Sequence, residues 1–459
     1  MKYFITTSLW IILSGIISIS YGQWPMQIID SGINNPAIVE VGDIDGDGDL
    51  DAAATSFSGS AVLWYENASP NWYEYSVGTL SGAVGVNIAD IDGDSLMDVV
   101  AAGNSANQVV WYKNGGGTPI TWTEYHIADL MSAETAETVD IDDDGDLDVI
   151  VTGVTSNRVV FYKNMGGTPV SWETVTIDAN LGGAMCTDFG DIDRDNDLDV
   201  IATGRNANDV VWYENPSWTK YTIDPNLVGA WGVRVGDFDD DDTLDVAAAG
   251  IDADQVVWYK NSHAGQTWTK YPIDTNLNGA MCLFLGDINL DSKLDVVATG
   301  RYDNKVFCYT NDLPTWSVET IDDNLAWANY VSLADFDDDT DLDVFVTGWN
   351  ANQVVLYVNP VVGIKAFSDV APASLELSQN YPNPFNPTTA IEFSIPKSEL
   401  VTLKIYNTLG EEVSTLVSDR LSVGSYQYEW NASGLASGVY LYRLQAGEYG
   451  ETRKMILMK

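Results

Sequence analysis

Residues 41–54 read VGDIDGDGDLDAAA. Asp43, Asp45, Asp47, Asp49 and Asp51 stand at alternate positions, with only small or apolar residues between them. Carboxylates crowded into one turn repel strongly unless something neutralises them. The same pattern starts again at Asp90, Asp140, Asp191, Asp237, Asp287 and Asp335, at spacings of 46 to 51 residues. Each copy has the same surroundings. A tryptophan opens each unit (Trp24, Trp72, Trp122, Trp172, Trp218, Trp268, Trp316), and a run such as LDVIATGRNANDVVWYEN follows the loop. Four short stretches rich in Val, Ile, Tyr and Trp, with Gly, Asn and Asp between them, are strands and turns. No sustained helical period interrupts them.

A repeat of this length with four strands is one blade of a β-propeller. Seven copies predict seven blades. The seventh copy ends at VVLYVN, residues 354–359, with no tryptophan strand after it. If that strand is the outer strand of the preceding blade, the segment Trp24–Asp30 must complete blade seven and close the ring. The paired aromatics Trp64-Tyr65, Trp111-Tyr112, Trp212-Tyr213 and Trp258-Tyr259 fit packing between blades, because neighbours along a strand face opposite sides.

Composition narrows the function. The chain carries 67 acidic and 21 basic residues, a formal net charge of −46, with 45% hydrophobic and 11% aromatic residues. Such charge would repel a phosphate backbone, which excludes nucleic acid as partner. An acidic disordered chain would be short of aromatics, so charge of this density in a folded chain implies bound cations. Residues 1–22 have Lys2, an apolar run and small residues at Ser20 and Gly22, the pattern of a secretory signal, and no further span candidate follows, so the mature chain is expected to lack a transmembrane span. Cys186, Cys282 and Cys308 are too few for a disulfide framework and read as buried thiols.

A hard cation such as calcium takes six to eight oxygens, and alternate carboxylates in a tight loop aim several at one point. The first loop offers Asp43, Asp45, Asp47 and Asp51 through side chains and Asp49 through its carbonyl. The second offers Asp90, Asp92, Asp94 and Asp98, with Leu96 at the carbonyl position. The third has Asp140, Asp142, Asp144, Asp146 and Asp148, and the fourth Asp191, Asp193, Asp195, Asp197 and Asp199. The fifth has Asp237, Asp239, Asp241, Thr243 and Asp245, and the sixth Asp287, Asn289, Asp291, Lys293 and Asp295. The seventh has Asp335, Asp337, Asp339, Asp341 and Asp343. Leu96, Thr243 and Lys293 at the seventh position suit a main-chain ligand. Up to seven calcium ions are expected, the sixth loop binding most weakly because it has the fewest charges.

Over residues 24–359 the repeats resemble FG-GAP/VCBS repeats, the calcium-loop propeller blades also seen in integrin alpha chains. The resemblance implies a metal in the loop between the first and second strands of each blade, stabilising the ring. It does not imply integrin function, since a propeller is a scaffold with many uses. The expected domains are a signal at 1–22, a propeller at 23–360, a linker at 361–378 and a small Ig-like β-sandwich at 379–459. The last segment, with NYPNPFNPTT, GLASGVYLYRL and the terminal RKMILMK, resembles the type A C-terminal sorting domain of type IX secretion in the Bacteroidetes–Chlorobi group. That resemblance implies recognition by the type IX machinery and a place outside the cell, either released or on the outer-membrane surface.

Catalytic material is scarce. Two histidines, His126 and His263, sit in unrelated contexts, so a histidine triad or zinc site has no basis. Glu134 and Glu137 sit upstream of the third loop in MSAETAETVD, and at the Glu134 position the other blades carry mostly apolar or small residues. The face opposite the acidic loops varies from blade to blade and carries Trp231, Trp327, Trp349, Arg205 and Arg301, a set suited to ligand recognition. The expectation is a non-catalytic module binding an extracellular glycan or protein. The alternative is a polysaccharide-active hydrolase or lyase that uses the propeller as its body.

Overall fold

The computed structural model describes residues 24–458, apart from 69–70, 338–340, 360–363, 369–371, 373, 398, 411, 422, 433–434 and 448. The signal at 1–22 and Asp339 lie outside the described residues. Among these residues every regular element is a strand, and no helix is long and apolar enough to cross a membrane.

The repeats fold as read. Seven four-stranded antiparallel sheets follow one another. The first blade is Pro36–Gly42, Asp51–Ser56, Ala61–Ala68 and Asn71–Thr79, from the axis outward, with Trp72 on the outer strand. The inner strands Pro36–Gly42, Ala83–Ala89, Ala133–Val139, Ala184–Gly190, Ala230–Gly236, Ala280–Gly286 and Ala328–Ala334 each touch the next, and the last touches the first. In the seventh blade the outer strand is Met26–Asp30, paired antiparallel with Gln353–Tyr357. The two ends of the propeller therefore close one sheet.

Burial explains why the second strands are so uniform. Residues such as Asp51–Ser56 and Asp98–Gly103 are buried throughout, because both faces of the strand lie against neighbouring blades. The aromatic pairs divide their work as alternation demands. Trp64, Trp111, Trp212 and Trp258 stack on outer-strand tyrosines at centroid distances of 4.6–4.9 Å. The tyrosines point the other way. The hydroxyls of Tyr65, Tyr213, Tyr259, Tyr309 and Tyr357 donate at 2.7–2.8 Å to Asp30, Asp178, Asp224, Asp274 and Asp322 in the preceding blade. Cys282 and Cys308 are buried and Cys186 is partly buried, all three as free thiols.

Beyond the propeller, two four-stranded sheets share one apolar core that includes Ile391, Leu403, Tyr442 and Met455. The stretch expected as a linker, 361–378, contributes two strands, Ile364–Ser368 and Glu376–Leu377. The first pairs with Gly424–Asn431, so it completes a sheet rather than spanning a gap.

Candidate functional site

Each acidic loop joins the first and second strands of its blade. The carboxylate at its first position curls the loop around itself: Asp43 accepts from the backbone N–H groups of Gly46 and Gly48, and Asp191 from those of Asp195 and Asn196. The ninth position has a second duty that the sequence pattern does not announce. Asp51 accepts from Ile44 N through one oxygen and Asn67 N through the other, and Asp199 does the same with Ile192 and Asn215. These aspartates are buried staples between loop and third strand as well as candidate ligands. Burial, opposed by those N–H donors, pushes Asp51, Asp199, Asp245 and Asp295 up to about 7 and Asp98 and Asp148 to about 6. The asparagine at the end of the third strand adds a clasp between blades. The amides of Asn114, Asn164, Asn215, Asn261, Asn311 and Asn359 donate to a carbonyl in the preceding blade's acidic loop. Loop shape is thereby coupled to the packing of neighbouring blades.

The donor set fits a hard cation. In five loops three carboxylate oxygens lie within 4.8 Å of one another: Asp43/Asp45/Asp51, Asp90/Asp92/Asp94, Asp140/Asp142/Asp148, Asp191/Asp193/Asp199 and Asp237/Asp239/Asp245. Asp193 Oδ1 and Asp239 Oδ1 are buried with no hydrogen-bond partner. An oxygen stranded in that way is costly unless an ion meets it. The loops differ in one neighbour, the residue after the paired aromatics on the third strand. It is a lysine in three of them. Lys113 contacts Asp92 and Asp94, Lys163 contacts Asp142 and Asp144, and Lys260 contacts Asp239 and Asp241. In the first and fourth blades it is Glu66 and Glu214, whose charges act on Asp45 and Asp193.

At the opposite mouth of the ring lies a cavity of about 230 Å³. Trp231, Trp349, Arg301, Glu134, Asn104 and Asn329 line it, with Phe57, Met281, Val84 and Ala37. Three of the five sequence-predicted rim residues thus face the cavity. The other two stack against those three: Arg205 lies 4.8 Å over Trp231, and Arg301 lies 4.4 Å over Trp327 and 5.3 Å over Trp349. Second-strand threonines fix this layer from the neighbouring blade. Thr203 donates to the Trp231 carbonyl, Thr299 to Asn329 at 3.2 Å and Thr347 to Ala37 at 2.9 Å. Glu134 accepts from Asn104 Nδ2 at 2.8 Å. Burial raises Glu134 to about 7, against that hydrogen bond and the charges of Arg205 and Arg301.

Deeper in the tunnel is a ring that the sequence reading missed, apart from Glu137. Three residues before each acidic loop stand Glu40, Asn87, Glu137, Asp188, Arg234, Phe284 and Ser332. Tyr330 OH donates to Glu40 at 2.8 Å and accepts from Arg234 at 3.2 Å, and the Arg234 guanidinium lies 4.7 Å over Phe284. These contacts join the first, fifth, sixth and seventh blades across the lumen. The tunnel leaves part of Glu137 open to water, yet protein surrounds it. Burial raises it to about 8, Arg234 opposes, and Glu40 and Asp188 add to the rise.

Comparison with known proteins places the chain. Residues 43–101, 90–151, 140–202, 191–248 and 237–298 match the FG-GAP-like repeat, together more than half of the sequence. The chain belongs to the FG-GAP-like repeat family. Residues 379–458 of this FG-GAP chain match the secretion system C-terminal sorting domain. Among solved structures it is similar to PorZ, an essential bacterial surface component of the type-IX secretion system of the human oral-microbiomic Porphyromonas gingivalis. Identity is 14%, the TM-score 0.51, and the match covers 94% of this chain and 60% of that one. The likeness is one of fold, and the chain spans about 60% of PorZ's length. No curated protein matches. The sorting tail makes this a secreted or cell-surface protein of a Bacteroidetes-type bacterium, recognised by the type IX secretion machinery.

Proposed function

We propose that this protein is an extracellular binding module whose acidic loops hold calcium and whose opposite mouth holds a glycan or protein ligand without catalysis. In the loops a bound ion supplies neutralising charge. The chain's own aspartates hold it, and the interblade asparagines carry the resulting rigidity around the ring. Up to seven ions fit this reading, one for each loop.

The observation that carries the binding role is the mouth cavity. Aromatic walls with a few convergent polar groups at one end of a rigid scaffold are the usual form of a ligand site. The enzymatic alternative has one point in its favour, Glu134 raised to about 7 beside the cavity. Hydrolysis by an acid/base pair needs a second carboxylate within reach of the same ligand. The other tunnel carboxylates, Glu40, Glu137 and Asp188, are absent from the cavity lining, which favours binding over turnover.

The test is a binding screen of the secreted chain against glycans and matrix proteins, in calcium and in chelator. A ligand captured in calcium, then lost by Trp231→Ala/Trp349→Ala with an unchanged melting temperature, supports the assignment. A ligand held equally well by that double variant removes it.

A further inference from the structure

We propose that the mouth cavity takes the end of an acidic glycan chain, a single terminal sugar ring bearing a carboxylate. The inference rests on the binding role above and names its ligand. Shape comes first. Tyr330, Cys186, Cys282, Ile38 and Thr135 also line the cavity, on the tunnel side of the mouth residues. Beyond them the Arg234–Tyr330–Glu40 contacts bridge the lumen. A chain cannot thread such a dead end; it can only insert a terminus. About 230 Å³ is less than the volume of drug-sized ligand sites and suits one ring.

The polar groups then choose the chemistry. Asn329 is buried, its Nδ2 donates to the Ala37 carbonyl at 2.8 Å, and its Oδ1 has no partner. Glu134 spends one oxygen on Asn104 Nδ2. Two acceptors therefore wait for donors, and a ring with several hydroxyls supplies them; a peptide C-terminus brings a single nearby N–H. The donors have the opposite need. Arg301 Nη1 reaches only Met281 Sδ, at 3.5 Å, a weak acceptor, and the Arg205 guanidinium has no hydrogen-bond acceptor among the described residues. Both guanidiniums are held by stacking on indoles and act on the one carboxylate of Glu134. Two guanidiniums face a single carboxylate, so the mouth is positive in a chain of net charge −46. A ligand carboxylate completes that balance through charge-assisted hydrogen bonds.

The experiment is calorimetric titration of the secreted chain in calcium with three probes. They are an oligosaccharide ending in a uronic acid, the same chain with the carboxyl reduced to hydroxymethyl, and the same chain with its uronic acid capped by a neutral sugar. The first is expected to bind, the second roughly tenfold or more weakly, and the third no better than the second. Arg301→Met is expected to weaken the first probe roughly ten- to a hundredfold, with the melting temperature unchanged. Equal binding of all three probes, or tightening only by neutral ends, overturns the acidic-terminus assignment. If Trp231→Ala/Trp349→Ala abolishes capture of a protein or neutral glycan while no acidic probe binds, this inference falls and the binding role stands. If probe binding survives both the arginine and the tryptophan substitutions, both fall.

Discussion

Replacing Lys113, Lys163 and Lys260 together by methionine is expected to convert three weak ion sites into tight ones. Lys260 Nζ lies 2.8 Å from Asp241 Oδ2 and in closer contact with Asp239, and its side chain is about a quarter exposed, at 27%. Lys113 and Lys163 repeat the arrangement. A divalent ion held by the same carboxylates sits within ~5 Å of the ammonium. Their repulsion is about 2 kcal/mol even at the dielectric constant of water. Swinging the lysine out instead costs two exposed contacts, each ~0.2–1 kcal/mol. The cheaper route sets the penalty, on the order of 1–2 kcal/mol, or roughly five- to thirtyfold in affinity. Methionine keeps much of the apolar stem and drops the charge. Glu66 and Glu214 act in the opposite sense, adding a carboxylate beside the first and fourth loops.

Calorimetry on metal-free protein at fixed ionic strength reads this directly. Among the five loops whose carboxylates cluster, the wild type is expected to fill in two classes, the first and fourth loops in the tight class and the second, third and fifth in the weak one, with the sixth loop filling last. The triple methionine variant moves three ions from the weak class to the tight one. Glu66→Gln/Glu214→Gln moves two the other way. A wild-type isotherm with all sites equivalent, or a triple variant whose weak class is unaltered, would refute the argument that third-strand charge grades the loops.

Other perturbations test the scaffold. Arg234→Met leaves Glu40, Glu137 and Asp188 without their shared countercharge; a loss of about 3–5 kcal/mol is expected in urea unfolding, smaller at pH 5 than at pH 8. Glu137, raised to about 8 by burial and faced by Glu40, Asp188, Arg234, Tyr330 and Cys282, favours the folded state below its unfolded value near 4.5. That contribution fades as pH rises through 8, so Glu137→Gln should flatten the fall in melting temperature between pH 5 and 8.5 at constant calcium. Asn215→Ala removes bonds of 2.8 Å to Ile141 O and 3.0 Å to Leu198 O, and should cost about 1–3 kcal/mol in the same urea assay.

Much of the architecture could be read because each blade repeats one solution. The strands, the tryptophan at the outer edge and the closure of the last sheet by Met26–Asp30 all follow from the phase of the repeat. Local periodicity was a weaker guide after Pro360. There Ile364–Ser368 looked like a connector because its partner, Gly424–Asn431, lies some 60 residues away. The ninth-position aspartates were legible as acidic but not as staples. Their bonds to Asn67 or Asn215 join groups 16 residues apart, and nothing in the loop itself announces that distance.

The lumen was hardest to read for a physical reason. Glu40, Asn87, Glu137, Asp188, Arg234, Phe284 and Ser332 come from seven different repeats, and only ring closure brings them together. Within any one strand a single inward residue looks like loop variation. The signal existed as a column, read three positions ahead of each acidic loop, in which one arginine answers three carboxylates. This column and the residues of the mouth vary for the same cause. Blade-to-blade surfaces must fit a neighbour of the same kind and are held to one pattern, whereas axial positions meet unlike partners across the lumen. An asymmetric ligand site on a near-symmetric wheel can therefore be built only from the axial columns and the loops beside them, which is where Trp231, Arg301, Glu134 and Asn329 stand.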